Sequence, residues 1–450
     1  MEKYINKRFS IFCLCLYFIG TQLFAQESYL LRELRIPQVA QENPGAVIPY
    51  DGHVSFPGVG RVQAGVNLPF SPFSISEKMF NKMKQNNAIY FGIQDDPIHF
   101  GSRNGKKYIS LFTAVKVNGN INFQKDLFAL LVEGNEIAKN EKLSFVKDDF
   151  LSVNAYLEFG VGYNREINDN VSFGLNVKYL TGLLNLYTNK ADITLTTGEN
   201  YHELLLNGDI RGKFTCVYDI FDEDRHRFRF GDALWKNHGF SIDVGGRYKI
   251  NDMFEVSAAV LDIGQIKWKS QAYNYTFSGD PFSFKGYEIE NIFEESGQSF
   301  EAKIKDYFAE LGDSLLNNFT LETEKTISYT KWLNTRFNVG FSVYLSPKSR
   351  FNLNFRGIFI NDAFVPSGSV SYTRNVGKWF DVVVGNTFKH NAVLNPGLGV
   401  NFTANVFQLY LIADYTNNLL YIDRLKNVNL IFGINFVAPL GRKIKASYMY

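Results

Sequence analysis

Phe240-Ser241-Ile242-Asp243-Val244-Gly245-Gly246-Arg247-Tyr248-Lys249-Ile250 is the stretch that decides the fold. Phe240, Ile242, Val244, Gly246, Tyr248 and Ile250 fall on one side of an extended chain, and Ser241, Asp243, Gly245, Arg247 and Lys249 on the other. That is the two-residue period of a β-strand with one apolar and one polar face. Asn251-Asp252 then supplies turn chemistry, and Phe254, Val256, Ala258 and Val260 alternate with Glu255, Ser257 and Ala259. The unit reads as a hairpin.

The same unit recurs in both directions. Leu151 to Tyr163 alternates, turns at Ile167-Asn168-Asp169-Asn170, and alternates back from Val171 to Tyr179. Phe337 to Leu345 does so around Ser346-Pro347-Lys348-Ser349, and turns at Asn375 to Lys378 and Ala404-Asn405 join four further candidate strands. These runs reach the roughly 9–11 residues that a tilted strand needs to cross a bilayer. Between the hairpins lie longer polar connections, Phe221 to Gly239, Gln265 to Asn334 and Asn417 to Asn427. Tight turns at one end and long loops at the other are the asymmetry of outer-membrane barrels, with the tight turns on the periplasmic side. The expected fold is therefore all-β, a closed antiparallel transmembrane β-barrel of about 14 strands, range about 12 to 16. Its first strand is placed near Tyr108 to Phe123, and it includes two short pieces near 190–197 and 210–218.

The ends of the chain read differently. Lys3, Lys7 and Arg8, the apolar run Ile11 to Gly20 and Leu23-Phe24-Ala25 have the form of an export signal over residues 1–25, cleaved before Gln26. Cys13 and Cys15 lie inside the apolar run, so no lipoprotein anchor is expected, and cleavage leaves Cys216 alone, without an internal disulfide. Residues 26–105 read as an N-terminal plug or periplasmic segment with a first hairpin, 106–438 as the barrel, and 439–450 as a tail or partial strand. Ser74 to Lys84, Lys125 to Val132 and Glu301 to Leu316 carry helical spacing, as amphipathic helices that cap or line a barrel would.

Composition removes several classes. Basic and acidic residues nearly balance, 47 against 45, which argues against a nucleic-acid partner. No run of 18 apolar residues follows the signal, which excludes a helical membrane protein. The 42 Phe and 25 Tyr suit interfacial girdles. Gly58-Val59-Gly60 lacks the last glycine of a phosphate loop, and no nucleophile elbow or zinc-protease helix occurs. The six histidines are scattered without ligand spacing, and the mixed run Asp222 to Arg227 reads as a solvated loop. No enzyme activity, cofactor or metal is expected.

Ser241, Asp243, Arg247, Lys249, Glu255 and Arg356 stand opposite the apolar face and are the candidate lumen-facing residues. In a soluble sandwich they would be wet surface instead. Charge placed on the apolar side, as in Val244→Arg, is expected to cost far more than Ser241→Arg opposite it. Trp235, Trp268, Trp332 and Trp379 near strand ends suit either interfacial anchoring or core packing.

Several phrases recur in a family-like order: Asn43-Pro44-Gly45; Phe56-Pro57-Gly58-Val59-Gly60; Phe123 to Phe128 leading to Glu133-Gly134-Asn135; Ile167-Asn168-Asp169; and Val260-Leu261-Asp262-Ile263-Gly264 followed by Trp268. In that order they resemble the uncharacterised outer-membrane barrels of Bacteroidota defined by a domain of unknown function. More distantly, Asn43-Pro44, here followed by Gly45 and Ala46, is similar to the Asn-Pro-Ala start of FadL-type and PorV-like barrels, whose N-terminal segment plugs the lumen. The resemblance implies a plug turn at Asn43, Pro44 and Gly45, an outer-membrane lipid environment and a channel or transporter for small compounds, hydrophobic ones among them. The alternatives are a non-transport barrel that scaffolds envelope or secretion components, with envelope proteins as partners, and a soluble exported β-protein that binds a ligand.

Overall fold

The computed structural model describes residues 28–71, 80–81, 83–128, 142–146, 148–197, 204–218, 230–284, 309, 313, 317–360, 363–389, 394–416 and 426–440. The expected export signal, the run at 222–227, the tail from 441 onward and most of the three helical stretches lie outside the described residues.

The wall closes on itself. β1 (Tyr50–Ser55) and β2 (Val62–Asn67) lie end to end between β3 (Asn86–Asn104) and the last strand, β20 (Asn427–Pro439), so two short pieces fill one wall position. From β3 the antiparallel ladder continues through β4 (Lys107–Gln124), past the short β5 (Leu143–Val146), to β6 (Leu151–Glu166) and β7 (Val171–Thr197). β7 outgrows the wall. Residues 171–181 pair with β9 (His238–Lys249), whereas residues 184–197 pair with β8 (Leu204–Cys216), which stands outside the ring.

The ring resumes at β10 (Phe254–Trp268). β11 (Ala272–Phe284) and β12 (Thr320–Lys325) extend β8 into a side sheet, and β13 (Tyr329–Trp332) caps the far end of β10. β14 (Arg336–Ser346), β15 (Ser349–Ile360), β16 (Ala363–Val376), β17 (Phe380–Lys389), β18 (Pro396–Ala404) and β19 (Phe407–Asp414) then lead to β20. The result is a closed antiparallel barrel of 14 strands.

The strand number agrees with the expectation, but the membership differs. The pieces near 190–197 and 210–218 belong to the projecting end of β7 and to the side sheet, while residues 50–104 supply two wall positions. β1 and β2 are too short to show a sustained period, and the register of β3 slips between Asp95 and Ile98, where Asp95-Asp96-Pro97 interrupts the alternation.

Burial along the strands is inverted relative to a soluble protein. On β9, Phe240, Ile242, Val244 and Tyr248 are exposed, and Ser241, Asp243 and Lys249 are buried. On β15, Phe351, Leu353 and Phe355 are exposed while Asn352, Asn354 and Arg356 are buried. An apolar belt around a closed sheet matches the hydrocarbon of a bilayer, in which closure also satisfies every wall N–H and C=O. Among the described residues no helix is long and apolar enough to span a membrane.

Tight turns at 104–107, 249–254, 346–349, 376–380 and 404–407 gather at one end, and the long connections at the other. One of those connections, Phe221 to Gly239, holds a short helix, Phe230–Lys236. Trp235, Trp332 and Trp379 are exposed, as anchors require, but Trp268 is fully buried against Tyr156, Leu180, Ile266 and Tyr329.

Candidate functional site

Residues 28–49 run through the ring from the long-loop end to the tight-turn end. Near the first, Leu30 packs where Gly385 and Gly397 leave room. Near the second, Arg35 pairs with Asp381 at 2.5 Å and donates to the Gly377 carbonyl at 3.0 Å. Between them, donors from several strands reach inward: Asn164 to the Pro44 oxygen (2.7 Å), Asn176 to Ala40 (3.3 Å), Asn338 to Glu42 (3.2 Å), Asn354 to the Glu33 carboxylate (3.1 Å) and Asn435 to Gln38 (3.1 Å). Strands on opposite sides of a closed wall share one partner only if that partner lies inside.

Two kinds of contact hold the segment. Leu30, Leu31, Leu34 and Ile36 bury themselves against Val383, Tyr410, Ile412 and Ile431, each worth roughly 1.5–3 kcal/mol of transfer free energy. Asn43-Pro44-Gly45 forms the second anchor. Asn43 Oδ1 accepts from the Gly45 amide (2.9 Å), Asn43 Nδ2 donates to the Gly246 oxygen (3.2 Å), and Ser172 Oγ donates to the Gly45 oxygen (2.6 Å). Gly174 and Gly245 are register partners beneath this turn. A Cβ on Gly174 would run into the Pro44 oxygen, and one on Gly245 would come within 2.9 Å of Pro44 Cδ. Bare backbone is what lets the turn seat.

Charge is concentrated where the segment meets the wall. Glu42, on the one-turn helix α1 (Val39–Glu42), faces Arg356 at 2.9 Å, Arg61 at 3.3 Å and Arg336 at 3.9 Å, all buried. Arg356 also donates to Asn338 Oδ1 at 2.7 Å and covers the Tyr29 ring. Glu42 sits on the internal segment, not on a crossing strand. Burial alone would raise its carboxyl, but Arg356, then Arg61 and Arg32, outweigh burial and hold it below the usual carboxylate range.

Arg336 links this group to a second one through Asp262 at 2.6 Å. Asp262 occupies a bulge in β10, with φ +58, and also receives Lys178 at 2.5 Å. Lys178 reaches Asp243 at 2.8 Å, and Lys116 pairs with Glu158 at 3.0 Å. Each ion of these two groups has a partner of opposite sign, which is the condition for keeping ions out of water.

Ser241, Asp243, Lys249 and Arg356 are thus buried on the inner face, with Asp243 and Arg356 in the ionic groups. Arg247 and Glu255 pair with each other at 3.2 Å, and Lys249 holds Asp252 of the adjacent turn at 2.8 Å. Glu42, Arg61 and Asp262 escape the strand pattern, whereas Arg336 keeps the polar phase of β14 with Asn338. Glu42 and Arg61 lie off any long alternating run, and Asp262 sits where the apolar phase of β10 flips from Val260 to Ile263, which is the signal that marks a bulge. His53 and His99, distant in sequence, stand ring to ring at 4.4 Å in the wall. Among the described residues no three metal-binding side chains gather.

Two cavities lie within the ring, the first lined in part by the segment and the second by wall residues. The one toward the tight turns measures about 150 Å³ and is lined by Arg32, Glu33, Arg247, Glu255 and Arg350 among others. The one toward the long loops also measures about 150 Å³ and has Lys116, Asp262 and Arg336 along its lining.

No curated protein matches the chain. Among solved structures it is similar to the toluene transporter TbuX of Ralstonia pickettii, with 7% identity and a TM-score of 0.45 over 93% of this chain and 95% of that one. It is also similar to the toluene transporter TodX of Pseudomonas putida, with 8% identity and a TM-score of 0.44 over 92% and 98%. A FadL homologue of Pseudomonas aeruginosa follows at 8% and 0.40 over 90% and 94%. The model described as a family of unknown function (DUF5723) matches residues 44–414, most of the chain, and the protein belongs to that family.

Proposed function

We propose that the protein is an outer-membrane transporter barrel for small molecules, shut at rest by residues 28–49 acting as a plug. One observation carries this reading: a segment held by hydrogen bonds, ion pairs and a few apolar side chains occupies the ring and leaves a cavity of about 150 Å³ beside it. Such contacts are reversible, so the segment can leave the ring without unpairing the wall. The expected export signal and the lipid-facing belt support the outer membrane as its location. The lumen-facing roles proposed for Ser241, Asp243, Arg247, Lys249, Glu255 and Arg356 follow from the same reading.

The test is solute flux in proteoliposomes with residues 28–49 deleted and the chain kept from Tyr50 onward, because β1 belongs to the wall. The expected outcome is small-solute permeation in the deletion variant and little in the full chain. A correctly folded deletion variant that stays impermeable overturns the reading in favour of a scaffold for envelope proteins. The side sheet of β8, β11 and β12, which stands outside the ring, is the observation that favours that second reading.

A further inference from the structure

Many asparagine amides inside this barrel are spent on partners. Asn43, Asn164, Asn176, Asn338, Asn352 and Asn435 all donate to a neighbouring oxygen. The cavity toward the long loops breaks that habit. On its β4 and β6 side the ladder sets Asn118 opposite Asn154 and Asn120 opposite Ser152, with Tyr90 of β3 beside Asn120. Among the described residues the side chains of Asn118, Asn120 and Ser152 form no hydrogen bond, and Asn154 uses only its Oδ1, which accepts from Asn185. Asn120 and Ser152 are nevertheless buried. Their polar atoms border the cavity, and several amides and a hydroxyl converging unengaged on one space offer donors and acceptors to an occupant with matching groups.

We infer that this cavity binds a small polyhydroxylated molecule of the monosaccharide class. Each amide offers both a donor and an acceptor, and Tyr90 and Tyr156 add hydroxyls, which matches a ring carrying several hydroxyls that both give and accept hydrogen bonds. Leu333, Ile358 and Ile360 supply an apolar wall for the C–H face of such a ring. An ion is disfavoured, because Lys116 and Arg336 are already neutralised by Glu158 and Asp262. A hydrocarbon is disfavoured as well, since it would leave the amides desolvated and unpaired. About 150 Å³ accommodates one sugar ring and little more.

The inference deepens the transport reading by naming a class of solute, but binding is measured with the barrel shut. The full chain, purified in an amine-oxide detergent that carries no sugar headgroup, is titrated calorimetrically with D-glucose, N-acetyl-D-glucosamine and myo-inositol, and separately with toluene. Saturable binding of at least one polyol is expected, weakened about tenfold or more by the pair Asn118→Ala and Asn120→Ala. Asn154→Ala provides a second variant, and heat-modifiable gel migration reports whether each variant keeps the barrel. Absence of saturation with every polyol on folded protein overturns the assignment, as does binding indifferent to both variants or tighter binding of toluene. If polyol binding persists while the plug deletion conducts nothing, the site stands and the transport reading falls.

Discussion

Glu42 shows what a single carboxylate does when a closed wall surrounds it. Glu42→Gln keeps the shape but leaves Arg356 and Arg61 facing a neutral amide, and breaking a buried pair in this way costs about 3–5 kcal/mol. Residues 28–49 should then become sensitive to protease while the barrel stays intact on a gel; an equally protected segment would show that the apolar anchor suffices alone. The same group predicts a pH dependence. Its folded pKa lies below the unfolded value, so its contribution is fully present above the unfolded carboxylate pKa of about 4.3 and is lost as pH falls through the lower folded value. Protection of the segment should be flat from neutrality to about pH 4 and decline only below that. On the outer face, Val244→Arg should destabilise the barrel by about 2–4 kcal/mol if Val244 lies near the bilayer midplane, measured by urea unfolding in lipid vesicles, with Val244→Leu nearly silent. Ser241→Arg loses the mildness expected for it from sequence. Ser241 is 1% exposed, so an arginine there overpacks a filled interior.

Elements differ in how openly they announce themselves. β9 and β15 were readable because each keeps one unbroken phase, with Phe240 to Tyr248 and Phe351 to Phe355 outside and polar side chains inside. β3 and β10 were harder, since bulges at Asp95 to Ile98 and Val260 to Ile263 reverse the phase midway. The inner faces of Asp243 and Arg356 follow from parity alone. Their partners do not, because pairing across a lumen depends on how far the strands are rolled. Asp262 is the clearest case: an aspartate in the left-handed region inside a strand, turned toward Lys178 and Arg336. Asp262→Ala should cost about 3–5 kcal/mol by stranding buried cations, read as a lowered denaturant midpoint; a loss below 1 kcal/mol would show that water reaches these ions. Gly245→Val should displace the Asn43-Pro44-Gly45 turn without unpairing β9 from β10, which protease mapping of residues 28–49 would report. The edge of the side sheet is protected by Glu322, Glu324 and Lys325 on a fully exposed β12, a charged edge that resists pairing with other chains.

At the scale of the molecule, the two ends of the wall meet at β1 and β2 against β20, and the chain that enters β1 is the chain that occupies the lumen. Filling and sealing are therefore neighbouring steps along one polypeptide. The interior segment is tied to the strand that completes the cylinder, so a barrel closed along this seam already holds it inside. If the barrel transports as proposed, its first conducting state comes afterward, by withdrawal of something that assembly put in place.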